Sequence, residues 1–236
     1  MIKNWDIIIP YIIMIFSKKN TYEQHDNEIG SFYKGSVKPF NSKDSLEDNI
    51  EVDICIVGGG LTGVSTALHL AKKGFSVAIC EARLIGWGAS GRNGGQLGNG
   101  MRKDQPLIEK QLGFERAKEL WKLGLESVQT SLDLINLFNI DCNVQRGIMS
   151  AGCFKSDIYD FEFEKNHLEK NYNYTELKII NENSIKDEIN SDMYFSGIIN
   201  RGSYHINPLK FLLGLANQLR SLNVKVFENT PITKIE

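Results

Sequence analysis

The chain has 236 residues, 42% of them hydrophobic and 24% charged, with a formal net charge of -2. That length holds one sizeable core or two small domains, and the composition is that of a globular protein. The near-neutral balance leaves no basic footprint for nucleic acid and selects no partner by charge.

The chain opens with an apolar stretch, "WDIIIPYIIMIF", at residues 5–16. A bilayer span needs about 20 apolar residues. This stretch falls short, is interrupted by Pro10, and is followed by Ser-Lys-Lys-Asn rather than a small-residue cleavage site. It reads as an extension or a weak surface anchor and not as a membrane span. Residues 21–49 are polar and read as an irregular arm over a sheet, so residues 1–50 stand apart from the rest of the chain.

Residues 52–57 are short, apolar and β-branched, as in a strand buried on both faces of a parallel sheet. Residues 61–73 carry Leu61, Val64, Ala67, Leu68 and Ala71 at helical spacing, and Gly74 stops that helix. Residues 75–80 form a second buried strand, with Glu81 at its end. The whole is one βαβ unit. Its turn fits Gly-x-Gly-x-x-Gly at Gly58, Gly60 and Gly63. Gly58 allows the tight turn, Gly60 lets a phosphate reach the backbone, and Gly63 lets helix and strand pack closely. The helix start offers unpaired N–H groups to a pyrophosphate. Glu81, about 20 residues on, suits a ribose hydroxyl. An acid there repels the extra phosphate of NADP. NAD and FAD remain open, with S-adenosylmethionine a distant third.

The next stretch, "RLIGWGASGRNGGQLGNG" at residues 83–100, is too glycine-rich for helix or strand. A simple NAD fold passes from the second strand into a helix. Here a long loop instead carries Ser90, Arg92, Asn93 and Gln96, suited to lying along an extended ligand.

These residues together resemble the FAD-dependent D-amino-acid oxidase superfamily, within it the gamma-glutamylputrescine oxidoreductase branch. Gly-Ala-Ser-Gly-Arg-Asn-Gly-Gly-Gln at residues 88–96 is the specific part, and "GSYHINPLKFLLGLANQL" at residues 202–219 adds to it. The resemblance covers residues 31–236. It implies FAD, an amine or amino-acid substrate, and oxygen or another electron acceptor. Carried over by position, Gly58, Gly60, Leu61, Thr62 and Gly63 meet the pyrophosphate. Glu81 holds the adenosine ribose, and Ala82 and Arg83 are expected among the cofactor-binding residues. Ala89, Ser90, Arg92, Asn93, Gly94 and Gly95 run along the pyrophosphate and ribityl chain. No His or Cys lies between Arg83 and Gly100, so the flavin is expected to be non-covalent.

Beyond the loop, residues 104–139 turn helical with a break near Gly113. Leu120, Leu123, Val128, Leu132, Ile135 and Phe138 form the expected apolar stripe. Residues 142–152 read as a strand, 156–171 as a helix, 176–181 as a strand, 183–189 as a short helix, and 193–207 as one or two strands in a mixed sheet. A helix comes next at 208–222, with Pro208 in its first turn, and then a third parallel strand at 224–228.

The fold class is therefore α/β: a Rossmann-like FAD-binding parallel sheet of the glutathione-reductase type, with an inserted α+β substrate portion. Residues 51–100 and 208–236 make the FAD-binding part and residues 101–207 the insertion. The family's usual His-x-His-Pro stands here as His205-Ile206-Asn207-Pro208, and Asn cannot titrate. His205 and Tyr204 read as packing residues, so no catalytic residue is assigned. Cys55, Cys80, Cys142 and Cys153 form no Cys-x-x-Cys pair and no zinc spacing. Cys55 and Cys80 read as buried hydrophobes, and the thiols as those of a reduced, cytoplasmic protein with no metal site.

The sequence ends at "TPITKIE", where a further strand is expected, and family members continue for nearly as long again. The chain thus reads as C-terminally truncated and is expected to bind FAD weakly or fold poorly alone. An NAD-dependent dehydrogenase and a non-catalytic nucleotide-binding fragment are the alternatives.

Overall fold

Two sheets of opposite kind organise the chain. The computed structural model describes residues 31–38, 40 and 45–235. The apolar stretch at residues 5–16 lies outside them. Residues Ser31–Glu236 make one compact unit. In chain order its elements are β1 (Ile54–Val57), α1 (Leu61–Lys72), β2 (Val77–Cys80), β3 (Gln96–Leu97), α2 (Gln105–Leu112), α3 (Phe114–Leu137), β4 (Gln145–Gly152), α4 (Asp157–Tyr172), β5 (Leu177–Ile180), α5 (Ile185–Glu188), β6 (Ser196–His205), α6 (Pro208–Gln218) and β7 (Lys225–Phe227).

The first sheet is parallel in the order β1-β2-β7. Helices α1 and α6 lie together on it. Val64, Ala67 and Leu68 of α1 meet Leu212, Leu215 and Ala216 of α6 over Val77 and Ile79 of β2. Leu68, Leu212 and Leu215 are fully buried, each contributing roughly 2 kcal/mol of transfer free energy. Gly74, with φ +92°, turns the chain out of α1 where a side chain would be strained.

Burial on both faces holds for β2 but not for β1. Ile54 and Ile56 are half-buried, whereas Cys55 is exposed and Val57 is 58% exposed. β1 is an edge strand of this sheet, so its second face has less to pack against. Cys55 is therefore not the buried hydrophobe expected of it, although Cys80 is.

The second sheet is antiparallel throughout, with β6 pairing β3, β4 and β5. Residues 193–207 yield the single ten-residue strand β6, and the sheet is not mixed. Gly202 lies within β6. In the fold it makes room for the Tyr174 ring, which a Cβ would strike. Trp121, Leu168, Tyr174, Leu177 and Ile198 form a separate core beneath this sheet.

Four further expectations change. The loop at residues 83–100 contains a 3-10 turn, Ala89–Gly91, and the short strand β3. The buried stripe of α3 runs through Ala117, Trp121, Gly124, Val128 and Ile135, while Leu123 is exposed. Gly124 belongs in it because a Cβ there would collide with the Asn99 carbonyl. Residues 231–235 form no strand. Pro231 brings no N–H to a ladder. Within the polar arm, Phe40 is buried in the α1–α6 core rather than draped over a sheet.

Candidate nucleotide-binding site

The turn after β1 is built from backbone. Gly58 takes φ +103° and its N–H donates to Cys80 O at 2.9 Å, extending the β1–β2 ladder by one bond. Gly60 stands at the N-cap of α1 with no side chain to cap it. The cap comes from the glycine loop instead: Leu61 N–H donates to Ser90 Oγ at 3.0 Å. A Cβ on Gly60 would stand 2.9 Å from that oxygen, so only glycine leaves the cradle open. A Cβ on Gly63 would press into Gly58 O, so this glycine seats the first turn of α1 against the strand end.

Glu81 faces this turn. Its Oε2 accepts Gly59 N–H at 2.6 Å and its Oε1 accepts Arg83 N–H at 2.9 Å. Each carboxylate oxygen keeps a second lone pair for a ribose hydroxyl. The amides of the first turn of α1 have no helix carbonyl behind them and carry the positive end of the helix dipole. Donors for a pyrophosphate and acceptors for a ribose thus stand side by side. That set fits a dinucleotide.

The loop residues are placed as follows. Ala82, Ala89 and Gly94 are exposed along its surface, as is Thr62 in the first turn of α1. The guanidinium groups of Arg83 and Arg92 both lie over Trp87, at 4.4 and 4.9 Å from its ring centre, and Arg92 Nε donates to Trp87 O. Asn93 spends its polar groups inside the loop: Nδ2 donates to Ala89 O and Ser90 O, and Oδ1 accepts Gly95 N–H. Gly95, with φ +76°, sits against Ile206 and accepts its N–H at 2.9 Å. Gln96 and Leu97 then pair with His205 and Tyr204. The loop therefore braces itself at Asn93, docks on α1 through Ser90 and docks on the second sheet through β3.

Sequence reasoning misses three residues. Gly59 reads as a free position of the motif, yet a Cβ there would collide with the Ile85 side chain. Nothing in the spacing signals this, because Ile85 arrives from beyond the second strand. Asn207 reads in the sequence only as a residue that cannot titrate, and the fold gives it a local role. It caps α6, its Oδ1 accepting Lys210 N–H at 3.0 Å, while its Nδ2 donates to Ser36 Oγ. Glu228, just past the end of β7, is a buried acid in the position that Glu81 holds after β2; that symmetry is the signal available.

His205 Nδ1 lies 3.2 Å from Gly147 O, within the second sheet. Burial pushes the Cys80 and Cys142 thiols up to about 11, aided at Cys80 by the neighbouring Cys55, which keeps both protonated at neutral pH. Among the described residues no group of three or more His, Cys, Asp or Glu side chains converges on a metal position. Nor is any helix among them long and apolar enough to cross a membrane.

Strand, glycine turn, helix, strand and acid define a dinucleotide-binding protein of the Rossmann-like class. The chain belongs to the DAO family of FAD dependent oxidoreductases, whose model matches residues 53–236. It is 35% identical over 206 residues to gamma-glutamylputrescine oxidoreductase of Escherichia coli, covering 87% of this chain and 48% of that protein. It is 31% identical to the probable oxidoreductase OrdL of Haemophilus influenzae, over 89% of this chain and 48% of that one. The chain thus spans about half the length of these relatives. The fold matches L-amino acid deaminase from Proteus myxofaciens with a TM-score of 0.61 at 17% identity, over 80% of this chain and 41% of that one. It also matches L-alpha-glycerophosphate oxidase from Mycoplasma pneumoniae, solved with FAD bound, with a TM-score of 0.56 at 19% identity, over 76% of this chain and 45% of that one. FAD is the cofactor of this family, and the NAD alternative finds no support.

Proposed function

We propose that this chain holds FAD non-covalently and belongs to an enzyme that oxidises an amine or amino acid, with a γ-glutamylputrescine-like amine as the substrate class. The observation that carries the reading is Glu81, which faces the glycine turn with lone pairs to spare beside the open amides of α1. The names of relatives supply the substrate class: gamma-glutamylputrescine oxidoreductase and, at 27% identity over 193 residues, glycine oxidase of Bacillus licheniformis.

When bound, FAD supplies the acceptor for a hydride from the carbon beside the substrate nitrogen. The chain's own residues orient and hold. Gly60 keeps a side chain out of the phosphate path, Gly58 and Gly63 shape the turn and seat α1 behind it, the α1 amides take negative charge, and Glu81 accepts from the adenosine ribose. Ser90 fastens the glycine loop to the same helix start, and Arg92 supplies a cation along that loop. With no His or Cys at residues 83–100, that loop offers no tether for a covalent flavin. Residues 101–207 form the substrate-side insertion, and oxygen or another acceptor is the electron-accepting partner of the reading. The reading places this chemistry in the cytoplasm.

The test is a titration of the purified 236-residue chain with FAD, followed by flavin fluorescence. FAD should bind and be displaced by ADP, with NADP unable to compete. A folded chain that binds NADP as well as FAD, or neither FAD nor ADP, overturns the proposal.

A further inference from the structure

Glu228 follows β7 as Glu81 follows β2 on the adjacent parallel strand, and the two acids grip one loop between them. Glu81 accepts Arg83 N–H, and two residues on Glu228 Oε1 accepts Ile85 N–H at 2.6 Å. Glu228 is only 5% exposed. A buried polar group is costly unless it is hydrogen-bonded, so the Ile85 N–H contact is one the fold holds on to. The main chain is stitched along the same seam. Glu81 N–H donates to Phe227 O at 2.9 Å, Asn229 N–H to Arg83 O at 2.8 Å and Thr230 N–H to Glu81 O at 2.8 Å.

What Glu228 fixes is Ile85. The Ile85 side chain fills the space that a Cβ on Gly59 would need, and Gly86 N–H donates to Gly59 O at 3.1 Å. Gly59 in turn donates its own N–H to Glu81. An unbroken set of contacts therefore runs from Glu228 through Ile85 and Gly86 to Gly59 and Glu81. It starts in the interior and ends at the nucleotide cradle.

We propose that Glu228 is a positioning residue for the adenosine diphosphate end of the nucleotide: it holds Ile85 and Gly86 so that the Gly59–Gly60 turn and the Glu81 carboxylate stay in register. The inference rests on the FAD reading. Glu228 acts through Ile85. Glutamine keeps a carbonyl oxygen that can accept Ile85 N–H, and alanine does not.

The test compares the full chain with Glu228→Gln and Glu228→Ala for FAD and ADP affinity, with melting curves to confirm folding. E228A should weaken FAD and ADP at least tenfold and by equal factors, since the lost contact serves the part they share. E228Q should stay within threefold of the parent chain. A role in stability alone would lower the melting temperature and leave the affinity of the folded protein unchanged, and that result overturns the inference while the FAD reading stands. A folded parent chain that binds neither ligand overturns both. Should E228A fail to fold, amide exchange on the parent chain decides. The Ile85 amide should be protected without nucleotide and further protected by ADP; exchange at the solvent rate overturns the inference.

Discussion

Gly63 and Gly59 hold the closest approaches in the nucleotide turn, one to backbone and one to a side chain. They respond differently to the same substitution. The carbonyl of Gly58 cannot yield without moving β1, so Gly63→Ala should cost about 1–3 kcal/mol of stability and abolish FAD binding. At Gly59 the obstacle is the far end of Ile85, which can change rotamer. Gly59→Ala should therefore cost less stability while still weakening FAD. Chemical denaturation and flavin titration on both variants check the order. At Glu81 both oxygens serve backbone donors, and Glu81→Ala leaves two N–H groups without them. It should lower stability by about 1–3 kcal/mol and weaken ADP and FAD together, measured in the same two assays.

Elements show where sequence carries information and where it does not. The βαβ unit is legible because its evidence is local: an apolar run, three glycines at fixed offsets, a helical repeat and an acid. The leucines of α3 suggest one stripe, yet the packed face follows Trp121 and Gly124. Gly124 is buried for what it lacks, and the carbonyl it meets comes from Asn99. No periodicity reports such a contact. The strand β3 is hidden for a similar reason, since its partner β6 is distant in sequence and glycine surrounds it. Asn207 illustrates a signal that depends on its frame. As a departure from a family motif it argues only against proton transfer, but as the residue before Pro208 it is an ordinary helix cap. Asn207→Ala should cost about 1 kcal/mol in denaturant unfolding; Asn207→Asp keeps the cap acceptor but loses the Nδ2 donor to Ser36, and should recover only part of that cost.

At the scale of the whole molecule, alkaline pH tests the second core. Burial, with donation to Glu109, pushes the Tyr172 hydroxyl up to about 12, and burial does the same for Tyr174. Both stand at 10.0 when unperturbed. Between these values the folded chain keeps protons that the unfolded chain has lost, so the contribution of these two tyrosines is intact below about pH 10 and falls as pH rises towards 12. Melting curves across that window should show the decline, and Tyr172→Phe should make it shallower by removing one titrating group.

The glycine loop is pinned to the parallel sheet's helix by Ser90 and to the antiparallel sheet by Gln96 and Leu97. Only five residues separate these moorings. Surface loops usually accept insertions and deletions more readily than regular elements do. This one should not. A single extra or missing residue there would slide β3 by one place along β6 and turn its side chains to the opposite face. In this stretch of chain, length is under tighter constraint than composition.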